Sequence, residues 1–228
     1  MKHVTKDSGE ITLDFNRIDR QGFPEAILCG HKSTAQLVEI LELAKAKDHP
    51  TLFTRLESRQ FGEIPDQYSS LMDYDPVSRT AFWGPQPALE DQLDIAIVSA
   101  GSSDVPTAKE IKRTLNFAGY PVLEIHDVGV AGIWRLMDRL PDFDQKPIIM
   151  AVAGMDAALA SVLGGLVEGV VIGVPTSTGY GVSDQGKTAL RSMLASCAPG
   201  VPVMNIDNGY GAALAGIRIL RQLRKVTS

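Results

Sequence analysis

Cysteine is scarce in this 228-residue chain: Cys29 and Cys197 are the only two, and they lie far apart. That scarcity excludes a disulfide framework and a zinc site built on the usual paired-cysteine spacings. It suits a reducing cytoplasm. Positive charge is not in excess, since 22 Lys and Arg stand against 27 Asp and Glu. The net charge of −5 lacks the basic footprint of a nucleic-acid binder. No apolar run reaches the roughly eighteen residues that a membrane-spanning helix needs. Met1 to Asp7 has no apolar stretch of the kind that a signal peptide carries. The expectation is therefore a cytoplasmic protein with neither nucleic acid nor membrane as partner. Internal repeats and low-complexity tracts are also missing. What is present is a globular composition, with 44% hydrophobic residues to build a core.

The pattern changes near residue 90. Before it, Ile11, Leu13 and Phe15 alternate like a strand. Thr34 is placed to cap a helix running to Lys47, with Leu37, Ile40, Leu41 and Ala44 on one face. Residues 51–56 and 80–83 read as short strands, giving a small α+β region over 1–90. Gly84-Pro85-Gln86-Pro87 is a breaker cluster and linker. After it, apolar strands are expected at 94–98, 121–125, 147–152, 170–174 and 201–206. Helices are expected at 106–118, 131–140, 157–166, 186–196 and 212–224. Five strands alternating with helices imply an α/β, doubly wound, mostly parallel sheet over 91–228.

Chemistry-bearing residues gather at the strand ends. Gly101, Ser102, Ser103 and Asp104 follow the first strand and open a helix. Glycine lets an anion approach the backbone, and the hydroxyls and helix N–H groups can hold phosphate; helix capping is the alternative. Gly154, Met155 and Asp156 repeat that layout after the third strand, with Asp156 as a general base, a substrate anchor or an N-cap. Asp127, beside His126, ends the second strand and is placed to bind a ribose hydroxyl or a metal ion. His126 itself reads as a surface or packing residue. Residues 175–183, including Thr176 and Tyr180, form a polar glycine loop that can cover a ligand or merely connect. Asn208 belongs to the turn after the fifth strand. Cys197 lies between two apolar segments as either a nucleophile or an inert small hydrophobe. In a doubly wound sheet such ends converge on one crevice, where Cys197 and Asp156 are expected to meet.

The strings Val98 to Asp104, Ile172 to Pro175, Gly200 to Val203 and Asn208 to Ala215 resemble the aminoimidazole ribonucleotide carboxylase/mutase family over residues 94–224. Those enzymes carry a Ser-Ala-His-Arg-Thr-Pro turn after the second strand, where this chain has Asp127-Val128-Gly129-Val130-Ala131-Gly132. The strings Asp127 to Ile133, Val152 to Met155, Val174 to Gly181 and Ser196 to Ala198 resemble the LarB family of nickel-pincer nucleotide biosynthesis more closely. So does Arg20 to Glu25, which extends the likeness over nearly the whole chain. That family often has Glu where this chain has Asp156, one methylene shorter.

The resemblance implies carboxylation and hydrolysis of nicotinic acid adenine dinucleotide, giving pyridinium-3,5-biscarboxylic acid mononucleotide and AMP. It implies a covalent Cys197 adduct, with Asp156 orienting or deprotonating the ring. Gly101 to Asp104 would hold phosphate, with CO2 or bicarbonate as co-substrate and no organic cofactor. Phosphoanhydride hydrolysis suits Mg2+, for which Asp127 and Asp207 are the candidate ligands. A homo-octamer is implied as well. A purine-type mutase and a non-catalytic nucleotide-binding partner are the alternatives.

Overall fold

The computed structural model describes residues 9–227, and the chain divides into two compact units, 1–86 and 87–228.

The first unit contains α1 (Arg17–Gln21), β1 (Ala26–Leu28), α2 (Thr34–Ala46), β2 (Thr51–Thr54), α3 (Ser58–Gly62), α4 (Asp66–Ser69), β3 (Asp73–Asp75) and β4 (Thr80–Trp83). Its sheet has the order β1-β2-β4-β3, with β1 parallel to β2 and the other pairs antiparallel. The helix α2 is capped by Ser33, one residue before the expected Thr34. Ser33 Oγ accepts the Gln36 N–H, and Gln36 Oε1 accepts the Ser33 N–H. This reciprocal pair satisfies two donors that a helix start leaves open. The expected face of Leu37, Ile40, Leu41 and Ala44 is buried against Phe53, Leu56 and Trp83. The expected strand at 11–15 does not form. Ile11 and Leu13 pack on the core, but among the described residues no ladder partner lies beside them. Alternation reports one apolar face; a strand also needs a neighbour to take its backbone bonds.

The second unit contains β5 (Ile95–Ser99), α5 (Val105–Phe117), β6 (Val122–Ile125), α6 (Ile133–Arg139), β7 (Ile148–Ala153), α7 (Ala158–Leu166), β8 (Val170–Pro175), α8 (Lys187–Leu194) and α9 (Gly209–Thr227). The order β6-β5-β7-β8 is parallel throughout. Every residue of β5 and β7 is buried, because helices cover both faces. The pleat divides the side chains. Ala96, Val98, Ile149 and Ala151 join a core with Leu136, Leu159, Leu163 and Met193 of α6, α7 and α8. Ile95, Ile148 and Met150 face Gly216 of α9.

The regular sheet has four strands rather than the expected five. Residues 201–206 run beside β8 but form only an isolated parallel bridge, Gly173 to Val203. The Gly173 N–H donates to Pro202 O and the Met204 N–H to Gly173 O, both at 2.8 Å. Proline stops the ladder in both directions. Continuing it would need an N–H from Pro202 on one side and from Pro175 on the other, and neither has one. The Ile206 N–H turns to Asn205 Oδ1, and the Asp207 N–H takes Pro175 O instead.

Candidate active site

The chain leaves β5 for β6 on one side, then crosses back to β7 on the other. Between these divergent connections lies the crevice where open parallel sheets bind ligands. A cleft of about 510 Å³ occupies this place. Its walls are the turns after three strands: Gly101–Asp104 after β5, Asp127–Ala131 after β6 and Gly154–Leu159 after β7. Thr178, from the loop after β8, completes the lining.

The turns are shaped by unusual backbone. Asp127 (φ 59°), Met155 (φ 53°) and Ala157 (φ 53°) are all left-handed without being glycine. Each such residue costs on the order of 1 kcal/mol, and strain of this kind gathers at functional sites. Gly154 cannot carry a side chain, because a Cβ there would strike the Thr178 carbonyl and lie 2.7 Å from Thr176 Oγ1. The Met155 N–H donates to Thr178 O at 2.9 Å, and Thr178 Oγ1 donates to Ser103 O at 3.2 Å. The loop after β8 is thereby tied across to two cleft walls.

Asp104 braces the same junction from inside. Its carboxylate accepts the Gly101 N–H at 2.9 Å and the Thr176 hydroxyl at 2.6 Å. Burial raises its pKa above the usual carboxylate value, while the hydrogen bonds from Thr176 and Gly101 pull it down. Both oxygens face protein donors. Ser102 and Ser103 are exposed beside it, at the entry to α5. The helices α5 and α7 both begin at the cleft, so their first N–H groups present positive partial charge to it.

Asp156 is exposed on the cleft wall. It is not the N-cap of α7; that position belongs to the left-handed Ala157. The Ala158 N–H approaches its Oδ1 only at a long 3.4 Å. Asp127 is exposed too, and its Oδ2 pairs with Arg135 Nη1 at 3.2 Å. Arg135 Nη2 also donates to Gly129 O at 3.4 Å. This arginine is not among the sequence candidates, because it lies inside α6. The small residues before it, Gly129 and Gly132, leave room for the guanidinium to reach back to the turn.

The structure thus brings Gly101, Ser102, Ser103, Asp104, Asp127, Gly154, Met155 and Asp156 around one cleft. Five other candidates fall outside its lining. Thr176 is buried and supports Asp104; Tyr180 is exposed at the loop tip. Asn208 caps α9, its Oδ1 accepting the Gly211 N–H at 2.8 Å. Asp207 Oδ1 accepts the Ser177 N–H at 2.8 Å. Cys197 is exposed on the connection between α8 and residues 201–206. That connection leads into the edge segment rather than out of it. It packs beside α7, where Ser161 Oγ meets Ser196 Oγ at 2.6 Å. Cys197 does not join Asp156 in the cleft lining. The other thiol, Cys29, is fully buried in the first unit, and burial pushes its pKa up to about 12.

The residues present do not assemble the expected Mg2+ site. Asp127 leaves β6 at one edge of the sheet, and Asp207 follows the segment beyond β8 at the other. Four strand spacings, roughly 19 Å, separate those edges. Among the described residues no group of three or more His, Cys, Asp or Glu is placed to hold a metal ion.

Residues 5–85 match the LarB/PurE-like N-terminal domain, and residues 94–227 match AIR carboxylase. An uncharacterized protein of Methanocaldococcus jannaschii is 34% identical over 224 residues, covering 94% of this chain and 86% of its own. The N5-carboxyaminoimidazole ribonucleotide mutase of Pyrococcus horikoshii is 29% identical over 136 residues, 55% of this chain and 71% of its own. Two Treponema denticola crystal structures, one of PurE and one of a PurE2 variant, align with TM-scores of 0.45 and 0.43 at 22% and 23% identity. They cover 56% of this chain and 80% and 79% of theirs.

Proposed function

Because this chain belongs to the LarB family and carries an AIR carboxylase domain, we propose that it carboxylates and hydrolyses nicotinic acid adenine dinucleotide. The products are pyridinium-3,5-biscarboxylic acid mononucleotide and AMP. The observation that carries this reading is the cleft, where helix N-termini, exposed serines and an exposed carboxylate converge.

The chemistry divides one forbidden step into feasible ones. The Cys197 thiolate adds to C4 of the electron-poor pyridinium ring and makes a dihydropyridine. Its C5 is then enamine-like and forms a bond to the carbon of CO2. A base, here Asp156, takes the C5 proton. Expulsion of the thiolate restores the aromatic ring. The sequence is redox-neutral, since one proton leaves for each CO2 gained. Water then cleaves the phosphoanhydride. In this reading Ser102, Ser103 and the N–H groups of the α5 entry hold phosphate, while the Asp104 carboxylate stays an internal brace. Arg135 supplies the cation that an anionic substrate needs beside Asp127.

Cys197 is not in the cleft lining of its own chain, which supports a thiol supplied by a second copy. A homo-oligomer is therefore part of the proposal, an octamer by resemblance. The exposed Ile133, Trp134 and Met137 on α6 give a neighbouring copy an apolar surface to cover. The decisive assay mixes the protein with nicotinic acid adenine dinucleotide and bicarbonate and follows AMP and the dicarboxylated mononucleotide. Binding without turnover would mark a nucleotide-binding partner. Turnover of N5-carboxyaminoimidazole ribonucleotide in its place would mark a purine-type mutase. Cys197→Ser and Asp156→Asn proteins, each inactive alone, should regain activity when dissociated and reassembled together. No recovery would sink the shared site.

A further inference from the structure

His126 leads into one wall of the cleft, yet the proposed chemistry does not use it. It follows β6 directly, precedes the left-handed Asp127, and is not part of the cleft lining. Both ring nitrogens are engaged. Nδ1 lies 2.9 Å from Ser99 Oγ, and Nε2 lies 3.3 Å from Glu124 Oε2. Glu124 pairs in turn with Lys112 of α5. The tautomer that donates from Nε2 to the Glu124 carboxylate leaves Nδ1 as the acceptor for the Ser99 hydroxyl. Ser99 is fully buried at the end of β5 and is closed to substrate as a nucleophile. A buried hydroxyl needs a partner, and the imidazole provides it.

One side chain thus joins the last residue of β5, the exit of β6 and, through Glu124, α5. The turns leaving β5 and β6 are two facing walls of the cleft. A backbone bond at the same level, from the Val128 N–H to Ser99 O at 3.2 Å, gives a second tie. Between His126 and Val128 sits Asp127, whose left-handed backbone persists only where its surroundings fix it.

We propose that His126 is a positioning residue. Its bond across to Ser99 holds the Asp127–Ala131 wall, with its Asp127–Arg135 pair, at the spacing from the Gly101–Asp104 wall that a nucleotide requires, while Glu124, on β6 itself, only orients the ring. This rests on reading the cleft as a nucleotide site.

Two measurements on the full-length protein test it. Without ligand, hydrogen–deuterium exchange is followed in residues 127–132. His126→Phe and Ser99→Ala should speed exchange there by about tenfold, as loss of one ordinary hydrogen bond implies, and leave α9 unchanged. His126→Asn, which keeps an acceptor near Ser99, should stay close to the parent. With ligand, calorimetry gives the Kd for nicotinic acid adenine dinucleotide. His126→Phe should weaken it about tenfold, His126→Asn should restore it to within about threefold, and adding Ser99→Ala to His126→Phe should change nothing more. Unchanged exchange overturns the clamp whatever the parent binds. Faster exchange with unchanged affinity overturns the positioning role. A parent that does not bind the dinucleotide overturns the nucleotide reading, and the exchange data then decide the clamp alone. If His126→Phe does not fold, Ser99→Ala carries the same comparisons.

Discussion

Thr176→Val removes one hydroxyl and keeps the side chain's shape. Thr176 is 1% exposed and Asp104 is 3% exposed. The lost bond, Thr176 Oγ1 to Asp104 Oδ1 at 2.6 Å, is the side-chain link from the brace to the end of β8. A hydrogen bond to a charged group contributes about 1.5–3 kcal/mol, and a buried acceptor left open costs in the same range. Expecting about 2 kcal/mol, Tm should fall by roughly 4–8 °C for a unit of this size. The loss should depend on pH. Burial holds the Asp104 pKa above its ordinary value, so the native state takes its proton more readily than the unfolded state. Stability from this group is therefore full below the unfolded pKa and declines as pH rises through the folded one. Removing the Thr176 donor raises the folded pKa further. The variant's deficit should then be larger at pH 7 than at pH 4. Thermal melts of parent and variant at both pH values measure it. A Tm at pH 7 within about 1 °C of the parent, against the expected shift, refutes the brace; so does a deficit that grows toward acid.

Cys197 should react with iodoacetamide in the folded protein, and Cys29, buried and with its pKa pushed up to about 12, should not. Intact-protein mass spectrometry with the dinucleotide should show an adduct that Cys197→Ser abolishes and Cys29→Ala keeps; full carboxylation by Cys197→Ala would end the covalent mechanism. Asp156→Asn should leave Tm unchanged, because an amide oxygen keeps the long contact from the Ala158 N–H, and should cut product formation by about 10²–10⁴-fold as loss of a general base does. Product within about threefold of the parent would leave the base unidentified. Gly154→Ala should lower Tm, since its Cβ would meet the Thr178 carbonyl and Thr176 Oγ1, an overpacking cost of about 1–3 kcal/mol. An unchanged melt would show that the β8 loop yields freely.

The α/β class, the parallel sheet of the second unit and the core face of α2 are legible in sequence because they rest on local periodicity. Continuous apolar runs such as Ile148 to Ala153 imply burial on both faces wherever they occur. The glycine, serine and aspartate turns after β5, β6 and β7 are legible as a site for a related reason: in a parallel sheet, residues just past a strand's end share one edge. Cys197 breaks that rule. It precedes its segment, which runs parallel to β8, and so it is left out of the cleft lining. The fifth strand fails because pairing depends on N–H groups that Pro202 and Pro175 lack, a condition set by register rather than by hydrophobicity. Asp104 reads as a ligand in sequence; Thr176, distant along the chain, donates to it and makes it a brace. Arg135 and His126 acquire meaning only from what stands across from them. Sequence determined which segments would be buried and where strands end. Tertiary structure alone decided which side chains face each other, because that depends on strand order and register, which no local pattern encodes.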